Sequence, residues 1–298
     1  MKIKETKLHK NNDPASVAAF CLLIAWTALL FSLLIWGFLS SLKNRPEFSG
    51  FGRYDKTSPL ALPEKWLWSN YKDAFRMIAV PVGSYEVLFG EMMVNSVIYA
   101  VGCTFFSTVS PMLAAYACAK YDFKFGKLLY MVVLTVLVIP IVGNQASELQ
   151  MSRLLGLYDN FPGVFFMRAG FTNMYFLIFY ESFKGQSNTY AEAARIDGAG
   201  DFTVFLRIAI PLAVPVIVGV AILVFIDAWN NYTVSLIYLP SHPVVTLGLF
   251  YMQSNTATNM TVPILIAGAY IVCIPTLVLF VAFRNKIMGN LSIGGIKE

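Results

Sequence analysis

Charge is scarce in this sequence. Only 13% of its 298 residues are Asp, Glu, Lys or Arg, whereas 57% are hydrophobic; soluble domains carry about 25% charged residues. Charge is missing altogether from residues 15–42 and 92–119. These absences exclude an ordinary soluble domain and predict an integral membrane protein. The net charge of +5 is explained by topology-setting Lys and Arg beside membrane helices, without a nucleic-acid partner.

Cysteine and histidine are also rare, which leaves few side chains that could form a disulfide, a metal site or a catalytic site. The cysteines lie in apolar runs without a ligand-like pair, so we expect small buried side chains and no disulfide framework. His9 and His242 are too few for a metal cluster or an intramembrane enzyme. No Gly-rich loop ends in Gly-Lys-Ser/Thr, the usual cradle for ATP phosphates. We therefore expect no catalytic site, metal or cofactor. The four cysteines are Cys21, Cys103, Cys118 and Cys273.

Six apolar runs are candidates for spans of about 20 residues each. The first is too long for a signal peptide and lacks a clear cleavage site, so we interpret it as a retained helix. The runs are Val17–Leu39, Met92–Ala119, one starting at Leu128–Val142, Pro162–Phe183, about Pro211–Leu236 and Val262–Phe283.

The connections define the domain organisation. We expect a cytoplasmic N-terminal segment (1–16), a transmembrane domain (17–290) and a cytoplasmic tail (291–298). Within the domain, 43–91 is an external segment and 184–210 is a charged loop. Basic residues concentrate in the connections assigned to the inside, whereas the two short outer connections hold only Arg153. This asymmetry favours cytoplasmic N- and C-termini.

The charged loop contains the most specific pattern in the sequence. Glu192-Ala193-Ala194 is followed after three residues by Gly198, and after nine more by Ile208 and then Ile210-Pro211. Ala and Glu favour a short helix, Gly198 permits a sharp bend, and Asp201 is expected to cap the next helix. A charged, helix-prone element between membrane-length runs predicts a docking site for a soluble partner.

This spacing resembles the EAA signature of the membrane subunits of type I ABC importers, with Ile210 where Leu is usual. Asn95-Ser96, Trp229-Asn230 and the tail Gly294–Lys297 are similar to the carbohydrate branch, in particular to the six-span partner of the maltose-type permease pair. The resemblance implies an all-α permease fold of six transmembrane helices with a cytoplasmic coupling helix. The implied ATPase-coupling residues are Glu192, Ala193, Ala194, Asp197 and Gly198.

The resemblance also implies partners. These are a second permease subunit, two ATPase subunits that hold ATP and magnesium, and an extracytoplasmic solute-binding protein, all at a bacterial or archaeal cytoplasmic membrane. The cargo would be a carbohydrate. An ion-gradient-driven secondary transporter is the alternative, although we find no inverted repeat.

Polar residues at membrane depth are candidates for the substrate pathway. Amides and carboxylates beside aromatic rings suit sugar hydroxyl groups. The same groups also serve as hydrogen-bonding glue between helices, and the sequence leaves both interpretations open. The candidates are Asn144, Gln145, Glu148, Asp227, Asn230, Asn231 and Tyr232.

Overall fold

The structure is a computed structural model that describes residues 14–49, 60–139, 143–254 and 260–291. Most of segment 1–16, most of the tail 291–298 and residues 255–259 of the loop after the fifth run lie outside the described residues. The helices are α1 (Pro14–Ser41), α2 (Arg45–Ser49), α3 (Ser69–Met77), α4 (Phe89–Lys120), α5 (Lys124–Val138), α6 (Gln145–Leu154), α7 (Phe161–Arg168), α8 (Met174–Lys184), α9 (Thr189–Ile196), α10 (Asp201–Val204), α11 (Ile210–Asn230), α12 (Tyr232–Tyr238), α13 (Val245–Ser254) and α14 (Val262–Leu291).

The chain divides into two units, of which the first comprises residues 1–74 and 257–270. The long helix α1 is apolar and mostly exposed. Where it ends, Asn70 donates hydrogen bonds to the carbonyls of Ser41 (2.7 Å) and Lys43 (2.8 Å). Lys43 is only 2% exposed. Burial lowers the pKa of Lys43, and nearby Glu47 opposes that shift.

The second unit, residues 75–256 and 271–298, is built around α4. Helices α7, α8 and α11 pack against α4. Aromatic rings pack against one another in the core. The ring centroid of Tyr116 lies 4.5 Å from that of Phe205 and 5.2 Å from that of Phe183. The buried members of this core cluster are Met112, Ala115, Tyr116, Val133, Phe176, Phe179, Phe183, Phe205, Ala209, Ala213, Val220 and Val224.

An antiparallel hairpin precedes α4. Strand β1 (Ala79–Val82) pairs with β2 (Tyr85–Leu88), and the connecting turn contains Gly83 at φ 61°. Helix α13 packs on this hairpin. A Cβ at Gly248 of α13 would lie 2.7 Å from the Ile78 side chain, so only glycine allows this close approach.

Four helical stretches are long and apolar enough to cross a membrane. They are Ser16–Ser41, Phe89–Lys120, Asp201–Asn230 and Val262–Phe283. They confirm the predicted first, second, fifth and sixth runs as long helices, although the fifth helix ends at Asn230 instead of reaching Leu236.

The predicted third and fourth runs are not single long helices. Helix α5 ends at Val138, and Asn144–Glu148 belongs to the start of α6 instead of continuing the third run. The fourth run is divided into α7 and α8. Gly170 and the capping residue Asn173 lie in the break, where the Asn173 side chain accepts a hydrogen bond from the Phe176 N–H at 3.2 Å.

Candidate coupling surface and membrane pathway

The charged loop (184–210) folds into two short helices and a turn. Helix α9 holds Glu192 in its first turn, where the helix dipole favours a carboxylate. Asp197 is the C-cap residue of α9, and Gly198 follows at φ 86°. The sequence predicted that Gly198 permits a bend. In the structure Gly198 adopts the left-handed backbone conformation, which favours glycine.

All eight residues of α9 are described, and none is buried. Glu192, Ala193 and Asp197 are exposed, as is Gly198, whereas Ala194 is half-buried. The five predicted coupling residues therefore lie on α9 and the turn that follows it, and four of them are exposed.

An ion pair closes the turn after α9. Arg195 donates to Asp201 Oδ1 from a terminal nitrogen at 2.8 Å and from Nε at 3.2 Å. The expectation that Asp201 caps the following helix is wrong, because Gly200 is the N-cap residue of α10 and Asp201 is the first residue of the helix. The carboxylate instead ties α10 to α9. Their hydrogen bond and mutual attraction raise the pKa of Arg195.

Helix α10 continues through a π-helical turn, Phe205–Ala209, into α11. Pro211 is the second residue of α11, directly after the π-helical turn, and it brings no N–H to the helix. Such π-helical insertions are frequent at functional sites.

Polar contacts attach the charged loop to the end of α4. Lys120 Nζ donates to the Gln186 carbonyl at 2.7 Å and to Asn188 Oδ1 at 3.0 Å. Gln186 Nε2 in turn donates to the Ala209 carbonyl at 3.1 Å. The sequence did not predict these contacts. Lys120 was interpreted as one of the topology-setting charges, and no local pattern identifies its hydrogen-bonding partners.

The pathway candidates of α11 divide into two groups. Asp227 and Asn230 are exposed and share a helix face with Leu223, which is 56% exposed. Asn231 instead ends the helix, and its side-chain oxygen accepts a hydrogen bond from the Val234 N–H at 3.3 Å, capping α12. Tyr232 stacks on Phe250 with ring centroids 4.7 Å apart. Asn231 and Tyr232 thus already have partners within the chain.

The other candidates lie at the start of α6. Asn144 and Gln145 are exposed, and Glu148 is half-buried. Burial first, and then the nearby Glu148 carboxylate, raise the pKa of Tyr238 at the end of α12. Among the described residues, no hydrogen bond joins this group to Asp227, Asn230, Asn231 or Tyr232, so the two groups remain separate within one chain.

The segment after α12 is held by a polar cluster that sequence reasoning did not single out. Asp159 accepts hydrogen bonds from the Ser241 N–H (3.0 Å) and hydroxyl (2.6 Å), and His242 Nδ1 lies 3.7 Å away. Asp159 has a φ of 57°, which few non-glycine residues adopt. The segment between α12 and α13 is therefore anchored where it begins.

The same segment is also anchored to α4. The Val245 N–H donates to Ser96 Oγ at 2.8 Å, and Asn95 Nδ2 donates to the Pro243 carbonyl at 3.2 Å. The pair Asn95-Ser96, which carried part of the sequence resemblance, thus positions α13. Gln253 and Ser254 at its far end are exposed.

The prediction that the cysteines are buried, made from their apolar neighbours in sequence, is wrong for two of the four. Cys103 is buried and Cys118 is half-buried, but Cys21 and Cys273 are exposed on apolar helices. Sequence hydropathy does not distinguish a side chain in the protein core from one on an apolar outer surface. All four are free thiols.

Comparison with known proteins shows the family to which the chain belongs. Residues 107–289, more than half of the chain, match the family "Binding-protein-dependent transport system inner membrane component". The match includes the charged loop, α11 and nearly all of α14.

Individual relatives cover most of the chain. The diacetylchitobiose uptake system permease protein NgcG of Streptomyces coelicolor is 27% identical, with 92% of this chain and 86% of NgcG covered. The arabinooligosaccharides transport system permease protein AraQ of Halalkalibacterium halodurans is 29% identical over 76% of this chain and 79% of AraQ. The trehalose transport system permease protein SugB of Mycobacterium tuberculosis is 27% identical over 79% and 84%, respectively.

A solved structure shares the fold. It is a chain of a bacterial ABC transporter involved in the import of the acidic polysaccharide alginate, which aligns with a TM-score of 0.73 at 22% identity. The alignment covers 94% of this chain and 99% of that chain. Together with the family match, this fold establishes that the chain belongs to the inner membrane components of binding-protein-dependent transport systems.

Proposed function

We propose that the chain is the transmembrane permease subunit of an ATP-driven, binding-protein-dependent carbohydrate importer of a bacterial or archaeal cytoplasmic membrane. Three relatives support the cargo class, since their names specify diacetylchitobiose, arabinooligosaccharides and trehalose. The ion-gradient alternative is not favoured, because the family is described as binding-protein-dependent.

One observation carries the coupling part of the proposal. Helix α9 has no buried residue, yet the chain on either side of it leads into apolar helices. We assign this free surface to an ATPase subunit, with Glu192, Ala193, Ala194, Asp197 and Gly198 at the contact. The small Ala side chains allow close approach, and Glu192 is available to pair with a basic group. ATP and magnesium reside on two such subunits.

We further propose six membrane spans, with α5 and the α7–α8 pair as the third and fourth. Irregular backbone at membrane depth requires internal hydrogen-bonding partners. The break between α7 and α8 has them, because Ser107 Oγ donates to the Arg168 carbonyl at 3.0 Å and Asn173 Nδ2 donates to the Gly170 carbonyl at 3.0 Å. An even number of spans places both termini on the same side, and the Lys and Arg in the connections assigned to the inside favour the cytoplasmic side.

The exposed face of α11 supports a pathway between this chain and a second permease subunit. A carboxylate such as Asp227 is costly against lipid, so its helix face turns to protein or to a polar passage. We place Asp227 and Asn230 on the passage, and Asn144, Gln145 and Glu148 nearer its outer end. Asn231 and Tyr232 support this face through their contacts within the chain.

Charge reversal on α9 tests the proposed docking. Glu192→Lys should abolish sugar uptake and release ATPase subunits during purification, because the proposed basic partner would then meet a like charge. Asp122→Lys is the control, since the Asp122 side chain is 87% exposed and its ion pair with Lys127 lies on the surface. Normal uptake and normal subunit content for Glu192→Lys would contradict docking at α9.

A further inference from the structure

Packing alone does not fix the position of α9. Its most enclosed residues, Ala191 and Ala194, are only half-buried. Behind α9 lies a cavity of about 80 Å³ whose lining includes Tyr116, Glu192 and Ile208. Apolar contact across this gap is incomplete, and hydrogen bonds contribute to holding the helix in place.

Lys120 supplies two of these bonds. Its ammonium group bridges the Gln186 carbonyl at 2.7 Å and the Asn188 side chain at 3.0 Å, immediately before α9 begins. Asn188 occupies the N-cap position, but its side chain makes no cap hydrogen bond. Its oxygen is directed to Lys120 instead. Hydrogen bonds from a charged donor are stronger than neutral ones, so this bridge is a firm attachment.

Gln186 extends the attachment to the other side of the loop. Its Nε2 donates to the carbonyl of Ala209, the last residue of the π-helical turn. Ala209 belongs to the buried core cluster, as does Phe205 at the start of the same turn. The connection therefore runs from the end of α4, through the entrance of α9, to the beginning of α11.

We propose that Lys120 and Gln186 form a polar strap that makes α9, α4 and α11 move together, so that displacement of α9 by the ATPase reaches the membrane helices. Lys120 is then a positioning residue for coupling. This inference rests on the proposed function, because it requires an ATPase at α9.

The test compares sugar transported per ATP hydrolysed in complexes reconstituted into proteoliposomes. Lys120→Met removes both donated bonds while keeping an apolar stem of similar length. We expect ATPase subunits to remain bound and ATP hydrolysis to continue. Transport per ATP should fall by at least about tenfold, because the loss of even one of these two charge-assisted hydrogen bonds corresponds to about that factor. Lys120→Arg, which keeps charged donors, should restore much of the ratio.

Matched variants separate coupling from simple stability. Lys127→Met removes another cytoplasmic-side lysine whose side chain is 73% exposed, and it should behave as wild type. Gln186→Leu removes only the bond to Ala209 and leaves the Gln186 carbonyl for Lys120. Gln186→Leu should lower the sugar transported per ATP hydrolysed. This variant therefore tests the strap even if the Lys120→Met complex fails to assemble.

Each outcome assigns the failure to one hypothesis. A wild-type ratio in both Lys120→Met and Gln186→Leu, while Glu192→Lys still abolishes uptake, would overturn the strap and leave docking intact. Loss of ATPase subunits from both strap variants would also overturn it, because the contacts would then serve assembly alone. Normal uptake by Glu192→Lys would instead refute docking at α9.

Discussion

Gly198→Val isolates the backbone geometry of the turn after α9. Gly198 has a φ of 86°, and a Cβ placed there would meet no atom within 4 Å. The substitution therefore introduces backbone strain without a steric clash. A left-handed conformation costs an L-residue about 1–2 kcal/mol, and a β-branched side chain lies at the upper end.

This cost converts directly into an expected effect. If the strained turn relaxes to negative φ, the Ala199 N–H loses its geometry toward the Ala194 carbonyl, now 2.9 Å away, and α9 is displaced. A penalty of about 1–2 kcal/mol lowers the equilibrium constant between the docking-competent and the relaxed turn about 5- to 30-fold. We expect sugar uptake in proteoliposomes to fall, by up to this factor.

Gly200→Val provides the matched control two residues away. Gly200 has a φ of −73° and ψ of 163°, and its added Cβ would likewise meet nothing within 4 Å. Valine adopts this extended conformation readily, so uptake should stay near wild type. Gly198→Asn should be milder than Gly198→Val, since Asn tolerates the left-handed region. Equal uptake by Gly198→Val and Gly200→Val would refute the geometric reasoning.

Three further predictions concern the pathway, the topology and the outer surface. Asn230→Leu should lower transport with assembly intact, because the Asn230 amide donates within its own helix, to the Ile226 carbonyl at 2.8 Å; failed assembly on purification would favour interhelical glue. In a cysteine-free background, an impermeant thiol reagent should label exposed Lys65→Cys from outside and Lys127→Cys only from inside; the reverse pattern would refute the proposed orientation. Deleting residues 253–259 should reduce ATP hydrolysis stimulated by the binding protein, because the proposed six-span topology places this connection on the outer side, where the binding protein docks; an unchanged response would remove this segment from the mechanism.

The long helices were predictable because hydropathy acts over many residues. Charge-free runs located both ends of α1 and α4 to within a few residues, whereas α11 ends at Asn230 instead of Leu236 and α14 continues past Phe283 to Leu291. The motif spacing also placed α9 and the bend at Gly198. These features depend on local composition and on residues close together in sequence.

Helix breaks were harder to predict, because they depend on single capping residues in apolar surroundings. Asn173 starts α8, and Asn231 separates α11 from α12 by accepting a bond from Val234. Hydropathy averaged over a window does not register such residues. Both asparagines could have been found from their preference for N-cap positions next to apolar runs.

Contacts between residues that are far apart in the sequence could not be predicted from sequence patterns. Lys120 and Gln186 are separated by 66 residues, and Asp159 and Ser241 by 82. Composition gives each residue a general preference but does not select its partner. The exposure of Asp227 likewise depends on how α11 packs against α4 and α8.

ATP-dependent sugar uptake in sealed proteoliposomes distinguishes an ATP-driven importer from the ion-gradient alternative. The reconstituted complex contains this chain, its second permease subunit and the ATPase subunits, with ATP inside and the binding protein with sugar outside. We expect uptake only when ATP and the binding protein are both present, and abolition of uptake by Glu192→Lys. Uptake driven by a sodium or proton gradient without ATP, and unaffected by Glu192→Lys, would contradict the proposed function.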